Sequence, residues 1–199
     1  MPMGSWVLRT ACAQSRTWQS SGLPKIRLGV NISSRQFRNE GLVGEVRNVL
    51  RDTGLDPDLL ELEITESMLM HDPEQTVRML NELTAIGIHL AIDDFGTGYS
   101  SLAYLKRFPV ATLKIDRSFI QDVPADADGV AITLAILAMA HNLRIKVTAE
   151  GVETEQQLAF LQQHGCDEIQ GYLSGRPLPA EDFARLLRSQ QATRSAVAG

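Results

Sequence analysis

The sequence predicts an α/β domain built on a mostly parallel sheet, and three observations predict it. Short apolar runs alternate with longer segments whose apolar residues recur at helical spacing. Such alternation needs crossover helices between neighbouring strands, which makes those strands parallel. Polar residues also stand at the C-terminal ends of successive strands: Asn31, Glu63, Asp93 with Asp94, Lys114, Glu150 and Gln170. In a (β/α) barrel those ends converge on one face, where active sites sit. A single polar residue there would be ordinary, but a series of them in successive βα units points to a site.

The elements run in order along the chain. Residues 6–18 carry Trp6, Val7, Ala11, Cys12 and Trp18, a helix, and 20–25 form a turn with Gly22 and Pro24. Residues 26–32 are a strand, with Asn31 near its end and Ser33 and Ser34 able to cap the next segment. Leu42, Val43, Val46, Val49 and Leu50 mark a helix, closed by Gly54 and Pro57. Residues 60–65 alternate as a strand, putting Glu61, Glu63 and Thr65 on one face and Leu62 and Ile64 on the other. Asp72 and Pro73 open a helix through Val77, Leu80 and Leu83 that stops near Gly87. The strand at Leu90 comes next, then a short helix over 102–108 ending at Pro109. Residues 111–115 are a strand carrying Lys114; 128–141 are an apolar helix; 145–148 are a strand running into Ala149, Glu150 and Gly151. Thr154 caps a helix that Gly165 ends, 168–172 are a last strand, and Pro179 opens a helix to about Leu187. Residues 188–199 read as a flexible tail. The strand count is six.

Composition sets the outer limits. The chain has 199 residues, 44% hydrophobic and 22% charged, enough for one globular domain with a sizeable core. The net charge of −5 argues against a surface that coats a nucleic-acid polymer. Cys12 and Cys166 lack metal-ligand spacing and read as core residues in a reducing, cytoplasmic setting. No apolar run is long enough to span a membrane, and the first residues lack a signal-peptide pattern.

The stretch over 90–102 concentrates the chemistry. The apolar run Leu90, Ala91, Ile92 ends in the adjacent carboxylates Asp93 and Asp94. Gly96 and Gly98 then flank Thr97, and Tyr99, Ser100 and Ser101 lead into the next helix. Two carboxylates at the end of a buried strand need a cation or a shared proton. Read alone, Asp93–Asp94 serves equally well as a strand end that caps the following helix. With Asn31 and Glu63 the pair makes a set of hard oxygen ligands, suited to Mg²⁺ or Mn²⁺ rather than zinc. A carboxylate shared between two such ions suits phosphodiester cleavage. Lys114 would orient the attacking water or neutralise developing charge; its plainer reading is a salt bridge to Asp93 or Asp116. Glu150 reads as a general base or a further metal ligand.

These residues resemble the EAL family of cyclic di-GMP phosphodiesterases. The matching stretches are Val30-Asn31-Ile32-Ser33, Glu63-Ile64-Thr65-Glu66, the run DDFGTGYSSL from Asp93, Leu113-Lys114-Ile115-Asp116, Ala149-Glu150-Gly151-Val152-Glu153-Thr154 and Gln170-Gly171-Tyr172, in family order. They span a domain over 4–187. The resemblance implies a TIM-like barrel that hydrolyses c-di-GMP to linear pGpG with two Mg²⁺ or Mn²⁺ ions. It implies Asn31, Glu63, Asp93 and Asp94 as metal ligands, with Asp93 bridging, and Lys114 and Glu150 acting on the catalytic water. It implies that Glu66 anchors the loop after Asp94, near which a homodimer would form. It further implies that Asp116, Glu153 and Gln170 support the site or ligand, and that Gln36 and Arg176-Pro177 lie near the guanine pocket. Sensory or GGDEF-type domains would be partners outside this sequence.

One departure stands out. The Glu-Ala-Leu signature that names the family, whose glutamate is a metal ligand, is absent; it belongs upstream of the helix at Trp6. Six strands and 199 residues, against eight strands and about 250 residues for a whole barrel, agree with a domain entered part-way. That leaves two strand edges open to pairing. Two other readings therefore stand beside the enzyme: a non-catalytic c-di-GMP-binding module, and an inactive truncated fragment.

Overall fold

The computed structural model describes residues 2–70, 72–98 and 102–197. Its elements in chain order are α1 (Met3–Ser20), β1 (Leu28–Asn31), α2 (Ser34–Phe37), α3 (Leu42–Thr53), β2 (Leu60–Thr65), α4 (Glu66–Leu69), α5 (Pro73–Thr84) and β3 (His89–Phe95). They continue with α6 (Leu102–Leu105), β4 (Thr112–Ile115), α7 (Ala127–Asn142), β5 (Lys146–Glu150), α8 (Glu155–Gln163), β6 (Glu168–Gln170) and α9 (Ala180–Val197). The six strands form one parallel sheet in the order β1-β2-β3-β4-β5-β6, curled into a TIM-like half-barrel with helices packed outside. Among the described residues, β1 and β6 are its two edges.

Period-two alternation sorts the strand residues. Leu60, Leu62, Ile64, Leu90, Ile92, Leu113, Ile115, Val147 and Ala149 are buried in the main apolar core. Glu61, Glu63, Asp93, Thr112, Lys114 and Glu150 occupy the alternate positions and form polar contacts with one another instead. A second, smaller cluster joins Leu23, Ala184 and Leu187 to Trp18, Ile26 and Phe183, with the Trp18 and Phe183 rings 5.2 Å apart. It docks α9 against the end of α1.

Local chemistry explains the ends of the helices. Asp72, Asp126 and Thr154 accept N-cap hydrogen bonds at the starts of α5, α7 and α8, and Pro73 takes the first turn of α5. Ser33 caps α2 in a capping box with Gln36. Gly54 closes α3 in the left-handed conformation, φ 68°.

Several bounds differ from the sequence expectation. The helix expected over 6–18 begins at Met3, and β1 is shorter than 26–32. The strand at Leu90 begins at His89 and, past Asp93 and Asp94 expected at its end, includes Phe95. The last strand stops at Gln170 rather than 172, because Gly171 turns the chain so tightly against Val152 that a Cβ there would collide with its backbone. α6 ends at Leu105, and α9 continues to Val197, well past Leu187. Cys12 is fully buried, whereas Cys166 is only half-buried, packed on the core's margin. Tyr99, Ser100 and Ser101 lie outside the described residues.

Candidate active site

The site forms where β1 to β5 end. Lys114, on β4, is 4% exposed and donates from Nζ into a ring of carboxylates. Its Nζ is 2.7 Å from Glu150 Oε1 on β5, 3.0 Å from Glu63 Oε2 on β2 and 3.2 Å from Asp93 Oδ1 on β3. The sequence left Lys114 a choice of Asp93 or Asp116; Asp116 is not among these ion pairs, and Glu63 and Glu150 are. Asn31, at the end of β1, donates from Nδ2 to Glu63 Oε2 at 3.0 Å. Gly29 makes room for this arrangement, since a Cβ there would collide with Glu63 Oε1.

A bulge brings both aspartates to this mouth. The β3–β4 register shifts between Ile92 and Phe95, and Asp94 takes φ 53°, a left-handed value that aspartate tolerates better than most residues. Regular alternation would turn Asp94 away from Asp93. Instead, carboxylate oxygens of Asp93, Asp94 and Glu150 lie within 4.8 Å of one another, the one such metal-capable cluster among the described residues. Glu63 meets this group through Lys114 and is also bonded to Asn31.

One cation among so many acids sets the electrostatics. Burial works against the Lys114 charge, but its hydrogen bond to Glu150 and the charges of Glu63 and Glu150 outweigh burial and hold its pKa above the ordinary lysine value. Burial raises the Glu150 pKa; Lys114 opposes that rise, and Asp93 and Glu63 add to it. Burial likewise raises Asp94, followed by the charges of Asp93 and Asp116. The cluster is therefore short of positive charge. Asp93 Oδ1 shows this most directly: it is buried, and its one close cationic neighbour is Lys114 Nζ at 3.2 Å, which Glu63 and Glu150 share at shorter distances. Three carboxylates converging beside a single, shared ammonium group suit a hard divalent cation.

The remaining residues named from the sequence are distributed around this centre. Glu66 is buried on α4, and its Oε2 accepts from the Gly96 and Gly98 backbone N–H groups at 2.9 and 3.4 Å. Asp116 caps the turn after β4, accepting from Ser118 N at 2.9 Å. Glu153 and Gln170 line, with Glu150, a cavity of about 490 Å³. Gln36 is occupied at the cap of α2, where its Oε1 accepts from Ser33 N and Oγ at 3.3 and 2.9 Å. Arg176 stacks over the exposed Tyr172 ring, 4.4 Å from its centroid. Pro177 is exposed beside it. Sequence reading missed Gly29, Arg117 and Gln157. The Thr154-x-x-Gln157 capping pattern was a usable signal for the last; nothing local marked the other two.

The fold and this mouth define a class: a parallel α/β half-barrel whose strand ends gather acidic, amide and lysine side chains, among them carboxylates placed to be able to hold a metal ion. The chain belongs to the EAL domain family, whose match covers residues 2–177. It is 49% identical over 187 residues to the cyclic di-GMP phosphodiesterase NbdA of Pseudomonas aeruginosa, covering 94% of this chain and 24% of that protein. It resembles the structure of the phosphodiesterase PaMucR in complex with c-di-GMP, with a TM-score of 0.88 and 49% identity, over 91% of this chain and 73% of that one. It also resembles Klebsiella pneumoniae BlrP1 in a manganese/cy-diGMP complex, with a TM-score of 0.78 and 31% identity, over 87% of this chain and 44% of that one. The chain spans about a quarter of the length of the curated relatives it matches.

Proposed function

We propose that this chain is a cyclic di-GMP phosphodiesterase domain that hydrolyses c-di-GMP to linear pGpG in bacterial second-messenger signalling. Family membership supports the substrate class, and c-di-GMP is present in the PaMucR and BlrP1 complexes. The observation that carries the reading is the strand-end cluster itself: Asp93, Asp94 and Glu150 converging beside Lys114, the one cation they share with Glu63.

The oxygen donors present suit hard divalent cations, and the family resemblance makes these two Mg²⁺ or Mn²⁺ ions. Asn31, Glu63, Asp93 and Asp94 would hold them, with Asp93 shared and Glu150 close enough to add an oxygen. When bound, such ions supply a water of lowered pKa and charge neutralisation on the phosphate oxygens. The protein's own part is separate. Lys114, kept protonated by its carboxylates, donates to an oxygen of the attacking water or of the phosphate as negative charge grows. Glu150, whose pKa burial raises, is suited to take the water proton. A P–O bond to the water oxygen forms, the P–O3′ bond breaks, and the released 3′ oxygen takes up a proton. Glu66 steadies the Gly96–Gly98 turn that comes after the metal-binding aspartates. Asp116, Glu153 and Gln170 support the site, with Gln36, Arg176 and Pro177 at its periphery.

The proposal extends to a homodimer formed near residues 94–101 and to sensory or GGDEF-type partner domains, on the family resemblance. A cytoplasmic, reducing setting agrees with the free thiols of Cys12 and Cys166. The test is chromatography of c-di-GMP incubated with the chain and Mn²⁺. Appearance of pGpG, absent with Asp93→Asn, supports the enzyme. Binding that persists in EDTA without turnover would favour a non-catalytic module instead.

A further inference from the structure

Gln157 lies in the first turn of α8, outside the cluster around Lys114, yet its amide is used completely. It is 4% exposed. Oε1 accepts from the Glu153 and Thr154 backbone N–H groups at 2.7 and 2.9 Å. Nε2 donates to the carbonyls of Ile120 and Gln121, each at 3.0 Å. All four hydrogen-bonding positions of a side-chain amide are filled. A residue that only completed the capping box with Thr154 would need Oε1 alone. The Nε2 bonds instead cross to the segment after β4.

The two segments that Gln157 ties together share a wall. Arg117 and Gln121 from one, and Glu150, Glu153 and Thr154 from the other, line the same cavity of about 490 Å³. They also touch, for a Cβ on Gly151 would come within 2.6 Å of Arg117 Cβ. Glu150 immediately precedes this contact. We propose that Gln157 is a positioning residue: it ties 117–121 to 151–154 and so fixes the wall beside Glu150 against which the substrate is held. This role rests on the phosphodiesterase reading, with Glu150 as the group whose surroundings matter.

The chemistry requires an amide. Glutamate at 157 would still accept from two N–H groups, but its charge would face two carbonyl oxygens, which repel it and lose their donor. The test measures Gln157→Glu beside Leu80→Val, a control that disturbs the core at α5, away from this wall. Turnover of c-di-GMP with Mn²⁺ and hydrogen exchange of 117–121 and 151–154 are both read. For Gln157→Glu, KM is expected to rise about tenfold while kcat changes less than about threefold, and exchange to accelerate in both segments. The control keeps its KM even where its melting temperature falls as far. Should Gln157→Glu not fold, Gln157→Asn keeps the amide one methylene too short to span both segments and is read in the same way. An unchanged KM and unchanged exchange, or an equal KM rise in the control, would overturn the role. If the wild type itself does not hydrolyse c-di-GMP, the phosphodiesterase reading falls and the positioning role with it; exchange of the wild type against the variant then still shows whether the tie exists.

Discussion

At the scale of single residues, the balance of charge around Lys114 governs the site. Replacing it with methionine leaves the buried Asp93 and the partly buried Glu63 and Glu150 without their shared cation. Breaking a buried pair in this way costs about 3–5 kcal/mol. Lys114→Met should therefore melt well below the wild type in EDTA, recover part of the difference when Mn²⁺ is added, and lose hydrolysis by about 10²–10³-fold. Calorimetry with and without Mn²⁺ checks the first two outcomes, and chromatography the third. Cys12 supplies a pH prediction free of the metal. Burial pushes its thiol from 9.0 up to about 11. A pKa raised on folding gives stability that is fully present below pH 9 and is lost as pH rises through 11. The wild type should lose stability relative to Cys12→Ala across that interval, measured by denaturant melts at pH 8 and pH 11. Lys114 was legible as a cation on a strand, because a lysine flanked by Leu113 and Ile115 in a buried run must meet an acid or a ligand. Its partners were not, because the facing residues sit on strands joined by crossover helices and no local pattern records which positions meet.

Among elements, the bulge in β3 and the gap at Gly29 decide whether the carboxylates converge. The Asp-Asp pair was visible in sequence, but the shifted register and the left-handed Asp94 were not; a pair at a strand end is equally consistent with a helix cap. Gly29 shows the same limit. It looked like a neutral residue in an apolar strand, and its purpose appears only when β1 pairs with β2 and Glu63 fills the space above it. Gly29→Ala should leave the fold intact, since the atom in its way belongs to a side chain, but push Glu63 off Lys114 and Asn31. A displacement of that kind weakens Mn²⁺ binding by about 10–100-fold, which titration calorimetry would show, with little change in melting temperature. Helices are more legible in this sequence than strands. Capping residues and apolar spacing are local, whereas β6 is cut short by a contact between Gly171 and Val152 that no short window contains.

For the whole molecule, the sequence supported a parallel α/β order and six strands, and the sheet has that order. Long-range packing, including α9 against α1 through Trp18 and Phe183, is not encoded by alternation alone. Stability should grade along the sheet from its centre outwards. Amides of β3 and β4, flanked on both sides, should exchange most slowly, and those of the three-residue β6, half exposed at an edge, soonest. Native-state hydrogen exchange gives the ranking; equal protection of β6 and β4 would mean that the edge is covered. The central claim is that water, activated at the mouth of this half-barrel, cleaves a phosphodiester of c-di-GMP. The most direct measurement is turnover with Mn²⁺ in ¹⁸O-labelled water, with mass spectrometry of the product. The claim predicts pGpG carrying one ¹⁸O in its terminal phosphate from the wild type and no product from Asp93→Asn. A folded, Mn²⁺-loaded wild type that leaves c-di-GMP intact, or a product without the label, would contradict it.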